Sequence, residues 1–576
     1  MIKQLVSCMS AKDKKYSIAS PLLIVGEVVM ETTIPMIMAN LVDVGIANQD
    51  MGYVLRTGGL MVLMAFLSLM FGAGAARTAA VAATGFAANI RKALFYKIQD
   101  FSFFNVDKFS TGSLVTRLTT DVTNIQNAAQ MILRMCVRAP IMFIMALIMA
   151  VSINAELALI FVVAIPILGV TVIVISKKAI SKFRIMLDRI DGMNNRVKEN
   201  LSAIRVVKAF VREDYEDEKF KESAGGVMDT QKAAEKLIIT NMPIMQLVIY
   251  SCIVAILWFG GNMIIVGDMQ TGQLISFITY VTQILMALMM VSMIFIMLVN
   301  SKASGDRIVE VMNEEIDITD DNGDEYLRLE DGSVRFENVA FSYHKDISSC
   351  ALRYVNLEIK SGETVGIIGG TGSSKSSLVQ LIPRLYDVTD GSVIVGGHDV
   401  RRYKIKNLRD EVAMVLQKNV LFSGTIKDNL KWGNENATDQ EIIEACKAAQ
   451  AHDFVMSFPD KYDTMLGQGG VNVSGGQKQR LCIARALLKK PRIIILDDST
   501  SAVDTATDKK IREAFARELK DTTTIIIAQR VTSIMDADKI VVMDNGRINA
   551  VGTHDELLET NEIYREVYES QQKGVE

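Results

Sequence analysis

Two kinds of periodicity divide the chain. Up to about residue 302, six apolar stretches recur, at 18–46, 54–76, 131–153, 157–176, 237–266 and 274–299. Each is long enough to cross a bilayer as a helix, for which about 20 residues suffice. The short polar links at 47–53, 154–156 and 267–273 hold no Lys or Arg, whereas the long links at 77–130 and 177–236 are rich in both. Basic residues are retained on the cytoplasmic side, so the pattern predicts a multi-pass chain with both ends cytoplasmic. The long links keep a helical period: Ile180, Phe183, Ile190, Met193, Val197, Leu201, Ile204, Val207 and Phe210 follow one face with charges between them. The membrane helices are therefore expected to project into the cytoplasm and to turn near 103–108 and 210–217, where a soluble domain could be gripped.

After residue 305 the pattern changes. An acidic stretch without apolar period reads as a linker, 306–333. Beyond it, apolar runs at 334–341, 364–368, 392–395, 412–416, 492–496, 523–528 and 539–543 alternate with helical patterns, which predicts an α/β fold. The expected organisation is thus a six-helix all-α membrane domain, 1–305, the linker, and an α/β domain, 334–576.

Composition agrees with this division. Hydrophobic residues make up 49% and the mean hydropathy is +0.24, yet 22% of residues are charged. A net charge of −4 gives no sign of a nucleic-acid partner. The six cysteines are scattered, which excludes a zinc or disulfide framework and fits a reducing cytosolic face. Residues 1–16 are polar and Lys-bearing, unlike a signal peptide. About 17 residues precede the first helix, leaving no room there for a protease domain. The 32 methionines lie mostly in the first 300 residues. They read chiefly as filling between helices and lipid, although a Met-lined cavity would accept varied apolar ligands.

Two groups of residues carry candidate chemistry. Glu27 and Glu31, four apart on the first helix, share one face near mid-membrane. Ionisable groups there are functional candidates, for cationic substrates or protons; the competing reading is structural pairing with Arg134 or Arg138. The second group is the segment 366–378, GIIGGTGSSKSSL, an apolar run followed by glycines and a helix opening on Lys375-Ser376-Ser377. This is the layout of a phosphate-binding loop, in which the N–H groups of Gly369, Gly370, Thr371, Gly372, Ser373 and Ser374 and the helix N-terminus face phosphate oxygens. Lys375 would reach the outer phosphates and Ser376 would join Mg²⁺. The pattern G-x-x-x-x-G-K-[ST] expects glycine where Ser374 stands. An ordinary Gly/Ser turn is the alternative, and a helix opening on Lys-Ser favours the nucleotide. The buried strand 492–496 ends at Asp497, a carboxylate suited to the same Mg²⁺.

With these motifs in place, Val473-Ser474-Gly475-Gly476-Gln477 closely resembles the signature of ATP-binding cassette (ABC) proteins. Gln417 is similar to their glutamine loop, a further Mg²⁺ ligand, and Tyr343 to the aromatic that stacks on adenine. Ser501-Ala502-Val503-Asp504 is similar to their D-loop, and 204–214, IRVVKAFVRED, to the coupling segment of their exporters. The order of domains resembles an exporter half-transporter. The resemblance implies an ATPase using ATP and Mg²⁺, and a second chain, each ATP lying between one chain's phosphate loop and the other's signature.

Three positions depart from that pattern. Ser374 replaces the loop glycine, Asp498 stands where the family has its catalytic glutamate, and Gln529 where it has the switch histidine. Asp498 is one methylene short, and a base must approach within about 2.6–3.2 Å of the proton it takes. A shortfall of order 1 Å costs roughly 10²-fold. Gln529 can donate a hydrogen bond but cannot carry charge near neutral pH. Beside an intact signature, this combination resembles the degenerate-site subunit of bacterial heterodimeric multidrug exporters. It implies a plasma-membrane pump for small apolar or amphipathic compounds, whose partner carries the catalytic Glu and switch His. A slow homodimer, an ATP-binding sensor subunit and an importer built on the same fold are the alternatives.

Overall fold

The computed structural model describes residues 2–321, 323–346, 349–499 and 503–573. The chain forms two compact units, Met1–Gln99 with Ser110–Glu314, and Asp100–Phe109 with Glu315–Glu576.

The first unit is helical. Its long helices are α1 (Ala11–Asn40), α2 (Met51–Gln99), α3 (Val122–Ile153), α4 (Ala155–Ser202), α5 (Glu213–Val266) and α6 (Thr271–Asn313). All six carry stretches long and apolar enough to cross a membrane. Their ends follow local chemistry. Ser10 and Asp13 form a capping box that starts α1, Asn154 accepts the Leu157 N–H at the start of α4, and Gly267, at φ +93°, stops α5. Close approach of α1 and α2 is set by small side chains, since Ala75, Ala79, Ala82, Ala83 and Ala87 are all buried. Near Pro35, two hydroxyls of α6 reach the α1 backbone: Tyr280 donates to Thr32 O at 2.7 Å and Ser276 to Pro35 O. These two bonds tie α6 to α1 at the level of its proline.

The second unit holds two large sheets and, among the described residues, a two-stranded pairing of Gly424–Thr425 with Met465–Leu466. Strands β1 (Val334–Phe341), β2 (Leu352–Ile359) and β4 (Asp390–Val395) form an antiparallel sheet in the order β2-β1-β4, extended by His398–Asp399. Strands β3 (Thr364–Gly369), β5 (Val412–Val415), β6 (Ile493–Asp497), β7 (Thr523–Ile527), β8 (Lys539–Asp544) and β9 (Arg547–Gly552) form the other sheet. Its order is β9-β8-β3-β7-β6-β5, parallel except for the β8–β9 pair. Helices α7 (Lys375–Gln380), α8 (Gly475–Leu488), α9 (Thr505–Glu518) and α10 (Glu562–Lys573) serve the site described below. Segment Asp100–Phe109 packs within this unit although it lies between α2 and α3 in sequence. Asp107 Oδ2 accepts from Tyr386 Oη at 2.8 Å, and Lys345 Nζ stands 4.7 Å over the Phe104 ring. Burial, then the bond to Asp107, pushes the Tyr386 phenol up. The other predicted turn opens at Phe210–Arg212 in the first unit, with Phe210 and Val211 74% and 81% exposed.

Several boundaries differ from the sequence expectation. Residues 306–313 are helix rather than linker, with Ile308 and Val311 buried. Their charges are used in pairs: Arg307 binds Asp121, while Arg117 bonds to Glu310 at 2.9 Å and to Arg307 O at 2.8 Å. Strands β2 and β9 carry no continuous apolar run. β2 buries only alternating positions over most of its length and β9 is a half-exposed edge, so both fall below the apolar signal.

Within the first unit, Arg138 of α3 forks between the two membrane glutamates. It bonds to Glu27 through Nη1 and to Glu31 through Nη2, the latter at 2.7 Å. Of the two partners considered from sequence, Arg138 is therefore the one used. Removing the arginine leaves two carboxylates unpaired, a cost on the order of 1–3 kcal/mol once the 34% exposure of the Glu31 side chain is allowed for. Arg138→Met should lower the unfolding temperature of the detergent-purified protein, and adding Glu27→Gln and Glu31→Gln should recover most of it. In transport assays, equal loss for neutral and cationic compounds in the double Gln variant marks a structural triad; selective loss for cations marks a binding role.

Candidate functional site

The site forms where the parallel strands end. Gly369 closes β3 opposite Met543 of β8, and a Cβ there would meet Met543 O at 2.1 Å, so glycine is required for the strands to pair. The loop then turns over itself. Ser373 N and Oγ both donate to Gly370 O, at 3.2 and 2.8 Å, and Gly372 has φ +82°. Ser374 caps α7 with φ +67° and ψ +27°, a left-handed conformation, and its side chain makes no capping bond.

Lys375 Nζ folds back across the loop, donating to Gly369 O and Gly370 O at 2.9 Å and to Ser373 Oγ at 3.2 Å. Ser376 Oγ donates to Asp497 Oδ1 at 2.9 Å, so the two residues read as Mg²⁺ ligands meet. Burial pushes the Lys375 ammonium down against the pull of Asp497 and Asp498, and pushes the Asp497 carboxyl up. Both shifts disfavour charge, and both would be opposed by a phosphate beside Lys375 and a dication beside Asp497. A hydroxyl and a carboxylate fit a hard cation. Ser376 and Asp497 would hold Mg²⁺, which would supply charge neutralisation at the phosphates.

Asp498 is buried in a left-handed conformation, φ +49°, and its N–H donates to Ile527 O at 3.0 Å. Its Oδ2 accepts the Gln529 Nε2 amide at 2.7 Å. The two substituted positions therefore bond to each other. Gln529 is in turn held through its backbone: Gln571 Nε2 donates to Gln529 O at 2.8 Å and Gln571 Oε1 accepts from Val531 N at 2.9 Å. No sequence motif marks Gln571, because its partners are backbone groups.

Other expected residues lie around this centre. Tyr343 Oη shares a hydrogen bond with Ser377 Oγ at 2.8 Å, its ring stands edge-on to Phe341 and Tyr386, and the residue is 38% exposed. Tyr386 was not marked from sequence, yet it joins Tyr343 to Asp107. Gln417 is exposed just after β5, whose Val415 pairs with Leu496 beside Asp497; no described hydrogen bond links its side chain to Ser376 or Asp497. Ser474 caps α8 in a capping box with Gln477: its Oγ accepts from Gln477 N and its N–H donates to Gln477 Oε1 at 2.9 Å. Ser474 and Gly475 are exposed and, among the described residues, make no hydrogen bond to the phosphate loop. Ser501 and Ala502 lie outside the described residues, whereas Asp504 caps α9 by accepting from Thr507 N at 2.9 Å, a bond that holds its carboxyl below the usual range. Glu27 and Glu31 belong to the other unit.

Comparison with known proteins bears on this arrangement. The ABC transporter transmembrane region family matches residues 17–288 and the ABC transporter family matches 352–501. An uncharacterized ABC transporter ATP-binding protein, YfiB of Bacillus subtilis (strain 168), is 40% identical over 97% of both chains. YgaD of the same organism, a putative multidrug export ATP-binding/permease protein, is 35% identical over 83% of both. An ATP-dependent lipid A-core flippase of Desulfotalea psychrophila is 33% identical over 82% of both. A solved structure of a bacterial Atm1-family ABC exporter with ATP bound is similar in fold, with a TM-score of 0.83 at 24% identity over 97% of this chain and 99% of that one. A helical membrane unit, a glycine-rich loop whose Ser376 bonds the buried Asp497 and a helix capped by Ser474 thus occur together in one chain that a relative matches over 97% of its length. The chain belongs to the ABC transporter family, as an ABC exporter with a transmembrane and an ATP-binding domain, and is an ATPase coupled to transport.

Proposed function

We propose that this chain is the degenerate-site subunit of a heterodimeric exporter in a bacterial plasma membrane, with both termini cytoplasmic. It moves small apolar or amphipathic compounds outward. The observation that carries this reading is the bond from Gln529 to Asp498. It occupies a carboxylate oxygen that a general base would need for water, and it ties the shortened acid to a residue that cannot take a proton. The names of two relatives, a putative multidrug exporter and a lipid A-core flippase, support apolar or amphipathic cargo.

In this reading the chain's residues divide by task. The loop Gly369–Ser374, with Lys375, Ser376 and Asp497, binds ATP and Mg²⁺, and Tyr343 offers an aromatic side to the base. Ser474, Gly475, Gly476 and Gln477 complete the partner's site, to which the positive end of α8 would present its N–H groups. Hydrolysis proceeds at that composite site, while the chain's own site holds nucleotide and sets how readily the pair opens. The exposed Phe210–Val211 turn supports the same two-chain arrangement, as an apolar tip available to the other cassette.

Ser374 adds a backbone cost to the chemical one. A left-handed non-glycine residue costs roughly 1–2 kcal/mol, and about 1.4 kcal/mol is tenfold in affinity. Ser374→Gly should tighten ATP at this chain's loop by up to about five- to thirtyfold, read by titration of a fluorescent analogue; unchanged affinity means that the loop accommodates serine without loss. In the two-chain pump, Asp498→Glu with Gln529→His should raise hydrolysis at this site by roughly 10²-fold, measured with the partner's catalytic glutamate neutralised. Unaltered turnover and nucleotide occupancy would remove the degenerate-site reading, as would robust ATPase activity from this chain alone. Gly475→Asp should abolish hydrolysis at the partner's site and leave ATP bound at this chain's own loop; loss at both sites, or at neither, contradicts the assigned task of the signature.

A further inference from the structure

Helix α10 packs beside the segment that follows β7. Tyr564 is fully buried and lies with Val531, Ile534, Ile540, Val542 and Leu557, while Val567 and Tyr568 pack at the margin of that cluster. The start of the helix is pinned by polar contacts. Asn561 Oδ1 accepts from Tyr564 N at 2.9 Å, and Tyr564 Oη meets His554 Nδ1 at 2.7 Å. A helix fixed at its first turns presents its last turn in a set place, and that turn carries Gln571. Its amide makes two bonds, both to the backbone of the segment that follows β7: Nε2 to Gln529 O at 2.8 Å and Oε1 from Val531 N at 2.9 Å.

The pair of bonds has a geometric effect that one alone would lack. Two contacts on residues 529 and 531 fix both the position and the tilt of the intervening peptide groups. Gln529 then has its side chain directed at Asp498, whose Oδ2 it reaches at 2.7 Å. Asp498 follows Asp497, which bonds Ser376 at the head of α7. A series of contacts thus runs from Gln571 of α10 through Gln529, Asp498 and Asp497 to Ser376.

We propose that Gln571 is a positioning residue of this chain's ATP site: by gripping the backbone at Gln529 and Val531 it sets where the residue at 529 faces, and through it the retention of nucleotide. The inference needs only that this chain's phosphate loop binds ATP. It holds equally for a homodimer, so its failure and that of the heterodimer reading are separate results. A side chain that merely fills backbone hydrogen-bonding capacity would support the fold without altering nucleotide retention, and the two roles separate experimentally.

The test uses the full-length assembled pump with Gln571→Ala and Gln571→Glu. Glutamate keeps the acceptor for Val531 N and loses the donor to Gln529 O. Hydrogen exchange is followed at residues 529–534, and release of a fluorescent ATP analogue is timed at this chain's loop, with Lys375→Ala defining the signal of the other site. Gln571→Ala should speed exchange at Val531 by about tenfold or more while residues 562–568 stay protected. Analogue release should quicken by about tenfold, with Gln571→Glu between it and the parent, and the unfolding temperature should move by less than about 2 °C. Release unchanged within twofold despite faster exchange would overturn the proposal. So would quicker release that only accompanies a matching fall in unfolding temperature.

Discussion

Parallel register across β3, β7 and β6 is the constraint on which the site depends. Ile527 pairs with both Ile367 and Asp497, so β7 and β6 end at one level and β3 runs on from there to Gly369. The phosphate loop follows β3, the Gln529 segment β7, and the Asp497-Asp498 turn β6. Ligands of open parallel sheets bind outside these carboxyl ends, because loops from neighbouring strands converge there. Slipping one strand by a residue would turn its alternating side chains over and separate Ser376 from Asp497. Ile493, Ile494, Ile495 and Ile525 are fully buried, since both faces of these strands are covered.

Both substituted positions with unusual backbones can be understood in the same terms. Ser374 and Asp498 each take a left-handed conformation, one at the start of α7 and the other after β6. Aspartate is among the residues that accept this region most readily. The local backbone at 498 therefore suits an aspartate, and a catalytic base placed there must bear a conformational cost to gain reach. Serine at 374 has no such compensation, and its hydroxyl makes no capping bond. Lys375, Ser376 and Asp497 stay within one cluster of hydrogen bonds, while Asp498 Oδ2 accepts from Gln529.

Much of this was legible in the chain itself. The six membrane helices and most of the central strands announce themselves as long apolar runs, and the phosphate loop, Asp497 and the signature do so by fixed spacing. Three features were not legible, each for a physical reason. Residues 306–313 look like a charged linker because their ion-pair partners, Asp121 and Arg117, are far off in sequence. Strands β2 and β9 are half-exposed and lack a continuous apolar run. Gln571 and Tyr386 act on partners that carry no motif, a backbone bend in one case and Asp107 in the other.

The membership of Asp100–Phe109 in the second unit has a bearing on how that unit could exist apart. Phe104 packs against the same hydrophobic cluster that contains Phe341 and Tyr386, and Asn105 Nδ2 bonds to Glu315 O at 2.9 Å. A nucleotide-binding fragment excised from residue 315 onward would leave part of its own wall behind, exposing the aromatic surface around Tyr386 and stranding its phenol without Asp107. The autonomous piece of this molecule is therefore discontinuous along the chain, and a faithful isolated cassette would have to bring that distant loop with it.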